Sequence, residues 1–218
     1  IVFADRVPPE GSAVDTVAID NREAGAIAAR HLIARGHRDI LLAASSLAIS
    51  PIRERVRGAS QLIRAMLGRE PTVIELGSNA DRGAATFLHW LERHPQPSAV
   101  IALTNVTTLG TLSALARMRI DIPDPVSVIG FDDYPWMSAR KTGLTAIRQP
   151  IAEIAEAAWT RLRARMAGDR TPPTHSVLQT SLQVRDSVRD LAVVTQDNRD
   201  PDPHPNPERP AASPKAVH

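Results

Sequence analysis

Two adjacent carboxylates, Asp132 and Asp133, follow the apolar run Val126-Ser127-Val128-Ile129-Gly130-Phe131. They offer the pieces of an acid–base pair, but neighbours in sequence rarely point at one reacting bond, so catalysis is the weaker reading. The seven histidines (31, 37, 89, 94, 175, 204, 218) form no HExxH and no metal-ligand spacing with carboxylates. His31 sits on an apolar helical stripe and reads as a satisfied, half-buried histidine rather than a ligand. Cysteine is absent, which removes disulfides, thiolate zinc sites, iron–sulfur clusters and cysteine nucleophiles, and suits a cytoplasmic protein. No GxGxxG, no GxxxxGK(S/T) and no GxSxG elbow occurs, so no metal, no cofactor and no enzyme activity is expected. Asp132, at a strand's carboxyl end, suits a turn cap or a ligand contact. Arg55, near a helix start, suits a solvated face or a ligand contact.

The elements that would hold these residues alternate between two periods. Short β-rich runs occur at 16–19, 40–44, 72–76, 99–103 and 126–130, several of them almost continuously apolar, as in strands covered on both faces. Between them, Ala24, Ile27, Ala28 and His31 follow helical spacing, as do Val56, Ala59, Ile63 and Met66, then Ala84, Phe87, Leu88 and Leu91, then Leu112, Leu115 and Ala116. Gly36 and Gly68 stand where left-handed helix ends are wanted. This alternation predicts an α/β fold with a parallel sheet and helices on both faces. Ligands in such folds bind beyond the carboxyl ends of the strands. That directs attention to 44–55, 77–81, 104–107 and 131–135.

After Pro135 the texture changes. Residues 144–150 read as a short extended link. A helix follows over 151–167, with Ile151, Ile154, Ala155, Ala158 and Leu162 on one face and Gly168 as its stop. Residues 176–185 alternate as a last strand. Beyond about Leu191 the chain turns to Asp, Asn, Arg and six prolines (201, 203, 205, 207, 210, 214), so 191–218 is expected to be a disordered tail. The 218 residues suffice for one large domain or two small lobes. With 26 Lys+Arg against 24 Asp+Glu, the net charge of +2 leaves no electrostatic footprint for nucleic acid, and 3% aromatics argue against base-stacking platforms. No run is long enough to span a membrane, and no signal peptide is visible. The start at Ile1-Val2-Phe3-Ala4-Asp5 lies inside an apolar run and reads as a chain cut through its first strand. No helix-turn-helix is present, because the helix over 21–35 runs into a strand rather than a recognition helix.

Several strings, in order, carry a resemblance. They are Phe3-Ala4-Asp5-Arg6, Val17-Ala18-Ile19-Asp20-Asn21, His31-Leu32-Ile33-Ala34-Arg35-Gly36-His37-Arg38, Arg55-Val56-Arg57-Gly58, the run from Ile122 to Asp133, Leu144-Thr145-Ala146-Ile147-Arg148-Gln149-Pro150, and Leu182-Gln183-Val184-Arg185-Asp186-Ser187. At these spacings, over roughly 1–190, the chain closely resembles the effector-binding region of LacI/GalR-family bacterial transcriptional repressors.

The resemblance implies a periplasmic-binding-protein-like fold with one complete lobe and part of a second. Residues 1–18 and 149–177 correspond to the remainder of the N-terminal lobe, and 19–148 and 178–190 to the C-terminal lobe. It also implies a homodimer, paired along faces such as 56–66 or 87–91. A sugar or related polar effector would sit between the lobes, and operator DNA would be bound only through a helix-turn-helix absent from these residues. Asp5 corresponds to a carboxylate that contacts effector hydroxyls, and Arg55 to the arginine that grips the ligand. Asn105 matches the asparagine of an Asn-Asp pair, and Asp132 the first aspartate of the Gly-Phe-Asp-Asp loop. Acceptor-only carboxylates facing a guanidinium fork suit a polar ring or polyol. Two departures stand out: Val106 replaces the usual aspartate, and 77–81 offers no aromatic for stacking. Trp90, Trp136 and Trp159 read as core or interface residues, with Trp136 near enough to line the cleft. The alternative is a periplasmic sugar-binding protein of the same fold.

Overall fold

In the computed structural model, which describes residues 1–6, 8 and 11–192, the strands sort into two separate sheets. The larger has six strands in the order β4-β3-β5-β6-β7-β9: Thr72–Glu75, Ile40–Ala44, Ala99–Ala102, Ser127–Phe131, Thr145–Arg148 and Ser181–Gln183. Its pairs are parallel except the last, where Ile147 faces Leu182 across an antiparallel ladder. The smaller sheet, β1-β2-β8, joins Val2–Ala4, Asp15–Ile19 and His175–Leu178, all parallel.

Every residue of β3, β5 and β6 is buried, as their unbroken apolar runs require of strands covered on both faces. Alternate side chains feed two cores. Leu42, Ala44, Ile101, Ile129 and Phe131 pack toward α1 (Asn21–Ala34) and α2 (Ser50–Leu67). Leu41, Ala43, Val100 and Val128 pack with α3 (Ala80–Leu91) and α4 (Asn105–Arg117). Helix starts are held by side chains at the strand ends: Asp20 accepts from the Glu23 N–H, Asn79 from the Arg82 N–H, and Thr104 forms a reciprocal capping pair with Thr107. Gly36 and Gly68 adopt the left-handed conformation expected of helix ends, with φ of 81° and 67°. The parallel α/β fold of the sequence reading is therefore present.

Three expectations need correction. Residues 144–150 are not merely a link, since Thr145–Arg148 forms β7, buried between β6 and β9. The alternating segment 176–185 is two strands in two sheets. β8 ends at Leu178, paired with Ile19, and β9 begins at Ser181, paired with Arg148. Alternation continues through the crossing because each strand is half-exposed, so periodicity alone cannot mark the change of sheet. Finally, α6 (Ile151–Met166) buries only part of the stripe read off its sequence, keeping Ile154, Ala158 and Leu162 on the inner face but not Ile151 and Ala155. Ile154 is its buried residue, Ala157, Ala158 and Leu162 are half-buried, and Ile151 and Ala155 are exposed. A short helix, α5 (Pro135–Ser138), was not anticipated. Of the expected tail, 193–218 lie outside the described residues.

Candidate functional site

The chain passes between the sheets after β2, after β7 and after β8. The carboxyl ends of β1 and β6 meet there, across a cavity of about 450 Å³. Its polar lining comprises Asp5, Arg6, Arg55, Thr104, Asp132 and Gln149. Its apolar lining is Ile49, Pro51, Ile52, Ile151 and Ile154, with Tyr134 the one aromatic.

Arg55 projects from α2 and is 4% exposed. Its Nε donates to Asn21 Oδ1 at 2.8 Å and its Nη1 to the Leu103 carbonyl at 2.8 Å. The guanidinium carbon lies 3.8 Å from the Phe131 ring centroid, a cation–π contact that lends further rigidity. Burial lowers its pKa from the ordinary arginine value, against the opposing fields of Asp132 and Asp5. Helix α1 sets this position closely. A Cβ on Gly25 would lie 2.0 Å from the Arg55 carbonyl oxygen, and one on Gly58 would lie 1.9 Å from that of Arg22. Only glycine permits this approach of α1 and α2.

Both aspartates sit in left-handed backbone conformations, Asp5 at φ 50° and Asp132 at φ 78°. The Asp5 N–H donates to the Val17 carbonyl and that of Asp132 to the Ile147 carbonyl, so neighbouring strands fix each turn. Asp132 Oδ1 accepts from Gln149 Nε2 at 2.6 Å, and Oδ2 accepts from the Asn105 N–H at 3.2 Å. Asp5 Oδ1 is buried with no hydrogen-bond partner. Burial pushes the Asp5 carboxyl up, with Arg55 and then Arg6 pulling it back.

Asp133 turns elsewhere. It ion-pairs with Arg148 Nη2 at 2.5 Å and Arg185 Nη1 at 2.6 Å. Burial raises its carboxyl, but these two arginines outweigh that and leave it below the ordinary value. The adjacent carboxylates thus serve different partners, and no acid–base pair forms between them.

Of the four residues singled out from sequence, Asp5, Arg55 and Asp132 line one cavity. Asn105 stands behind Asp132, touching it through its backbone, with its own Oδ1 buried and unpartnered. Gln149, Tyr134, Thr104 and Asn21 were not singled out. Gln149 lies within one of the quoted strings, and Asn21 opens the helix after β2, but nothing in their types marks a role until the sheets are assembled. Trp136 packs against the α3–α4 core instead of lining the cavity. His31 is half-buried as expected, though its Nε2 lacks a partner; burial, with Arg35 and His37 adding to it, lowers its pKa to about 4.

Residues 29–188 match the periplasmic binding protein-like domain family. Over 180 residues the chain is 36% identical to the probable opine utilization operon repressor of Rhizobium rhizogenes, covering 78% of this chain and 91% of that one. Against the HTH-type transcriptional regulator PtxS of Pseudomonas putida it is 32% identical over 190 residues, 87% of this chain and 55% of that one. Among solved structures, the transcriptional regulator CelR–cellobiose complex superposes with a TM-score of 0.75 at 30% identity, covering 85% of this chain and 58% of that one. A LacI family transcriptional regulator from Enterococcus faecium with bound ribose gives 0.78 at 22% identity, covering 87% and 70%, a likeness of fold.

Two sheets joined by three crossovers, with carboxylates and a guanidinium at the seam, define a small-molecule-binding core of the periplasmic-binding-protein type. Within that class the chain belongs to the LacI family of transcriptional regulators and is its effector-binding core. The transporter-associated binding protein is not favoured, since these relatives are regulators. Apart from the Rhizobium repressor, the chain spans about half the length of the curated relatives it matches.

Proposed function

We propose that this core binds a small polar effector between two lobes and thereby controls operator binding by a homodimer in the cytoplasm, without itself catalysing a reaction. The lobes are residues 1–18 with 149–177, and 19–148 with 178–190. The observation that carries the reading is the convergence of Asp5, Arg55 and Asp132, from β1, α2 and β6, on one cavity at the crossovers. Asp5 Oδ1 is a buried acceptor without a partner, a state that costs about 1–3 kcal/mol, and the bonds of Arg55 leave its Nη2 available. A ligand bridging them recovers that cost, and bridging two lobes couples occupancy to their relative placement. The regulators named CelR and PtxS support a transcriptional role, and the bound cellobiose and ribose of related structures support a sugar-like ligand. DNA contact is assigned to a helix-turn-helix outside these 218 residues, and pairing to helical faces such as 56–66 or 87–91.

The test is a mobility-shift assay of the intact regulator on DNA flanking its own gene, with a panel of small polar metabolites. One metabolite should change the shifted fraction in the wild type but not in Arg55→Ala. Binding of DNA that no metabolite alters would contradict the reading.

A further inference from the structure

The residues after β9 form a strap across the amino ends of the large sheet, at the opposite edge from the cavity. The Thr145 N–H donates to Ser187 Oγ at 2.8 Å, and that hydroxyl donates to the Val128 carbonyl at 2.6 Å. The Val128 N–H donates to the Ser187 carbonyl at 2.9 Å, and the Arg189 N–H to Ser127 Oγ at 3.0 Å. The Leu191 N–H then reaches the Arg35 carbonyl at 2.8 Å, and Val188 is buried in the core. The strap therefore ties the starts of β7 and β6 to the end of α1.

His37, between α1 and β3, lies fully buried beneath the far half of this strap. Its Nε2 stands 3.3 Å from the Arg189 carbonyl, which only accepts, so Nε2 carries the hydrogen. Its Nδ1 stands 3.1 Å from Ser98 Oγ, whose hydroxyl satisfies it. The Asp39 carbonyl, also within reach of that hydroxyl, already accepts the Ser98 and Ala99 N–H groups. The neutral ring is thus fully bonded. A charged ring would be buried with no carboxylate bonded to it among the described residues. Arg35 from α1 and Arg189 from the strap oppose its charge, and His31 adds a second imidazole on the α1 side. Asp190 favours the charge, whereas Asp124 is paired with Arg189 and Asp39 with Arg69. Burial holds His37 below the ordinary histidine value, against the pull of the Arg189 carbonyl.

We propose that His37 is an acid-sensitive latch: its neutral ring holds residues 187–192 against the sheet, and uptake of a solvent proton at Nδ1 releases them while the sheet stays folded. The sign follows from linkage. An imidazole freed by opening of the strap titrates near about 6.5, whereas the covered ring resists protonation to lower pH. Docking of the strap is at full strength above that value and weakens as pH falls below it. The latch acts at the amino ends of the strands, so it is independent of the effector site at their carboxyl ends.

Hydrogen exchange of the intact regulator at about pH 7.5 and about pH 5, corrected for the intrinsic pH dependence of exchange, tests the latch. Protection of 187–192 should fall at least about threefold and at most about thirtyfold, the limit set by a free imidazole at pH 5. Strands β3, β5 and β6 should keep theirs. His37→Gln, whose amide donates where Nε2 did but takes up no proton, should show no such fall. His31→Gln should keep the wild-type fall, because His31 is already pushed down to about 4. A smaller fall in the wild type, the same fall in His37→Gln, or its loss in His31→Gln overturns the latch. In the wild type, the His37 ring resonance should shift over the same pH range in which the strap loosens. A ring that titrates beneath a strap still protected overturns the latch without recourse to any variant.

Discussion

Gln149 donates its side-chain amide to Asp132 Oδ1 at 2.6 Å, and so ties the crossover between the two sheets to the carboxylate at the end of β6. Gln149 lies just after β7 and just before α6, where the chain leaves one sheet for the other. A tilt of the sheets must stretch or remake this bond. We expect Gln149→Ala to weaken effector binding by about 1.5–3 kcal/mol, the range for a hydrogen bond to a charged group. Calorimetry with the effector checks it, and an unchanged affinity would make the contact incidental.

Gly25→Ala should damage the site from behind. The added methyl would meet the Arg55 carbonyl oxygen at 2.0 Å, a backbone atom that cannot swing away. The helices must separate, at a cost of about 1–3 kcal/mol or more, and Arg55 moves with α2. A lowered melting temperature together with weakened effector binding is the expected result.

Asp15 clamps α6 to the small sheet. It is 2% exposed and receives Arg161 Nε at 2.8 Å, Arg165 Nε at 2.7 Å and the Thr174 N–H at 2.9 Å. Hydrogen bonds from Arg165 outweigh burial and, with those of Arg161 and Thr174, hold its carboxyl far below the ordinary range. The folded-state pKa is depressed, so the stabilisation is fully present above the unfolded value of about 3.9 and is lost as pH falls below it. Asp15→Ala leaves Arg161 paired only with Asp169 and Arg165 only with the Asp169 and Thr171 carbonyls, and should lower the melting temperature at neutral pH. Asp15→Asn should flatten the stability curve below about pH 4 in denaturant titrations.

Hydrogen exchange should be faster across 150–168 than across β3, β5 and β6. Helix α6 has one buried side chain, Ile154, and exposes Ile151 at 63%, Trp159 at 57% and Met166 at 75%. The strands are buried throughout, and local opening free energy follows such burial. Equal protection of both regions would mean that α6 is covered in solution.

The large sheet was legible because its central strands are unbroken apolar runs, separated by segments of helical period, two of which stop at Gly36 and Gly68. The division of 175–183 between two sheets was not, because Leu178 and Leu182 keep the same period on either side of the crossing. Asp5, Arg55 and Asp132 were found through strings that resemble a family. Gln149 and Asn21 act through partners 17 and 34 residues away, and such contacts leave no local signature.

The central claim is that one effector is held jointly by residues of the two sheets. Its most direct test is titration of the effector into wild-type protein, Arg55→Ala from the large-sheet side and Asp5→Ala from the small-sheet side, with circular dichroism confirming that each is folded. The account requires one-to-one binding in the wild type and loss of at least tenfold in each variant, with cooperative melting retained. Undiminished binding in both variants would place the effector elsewhere and contradict it.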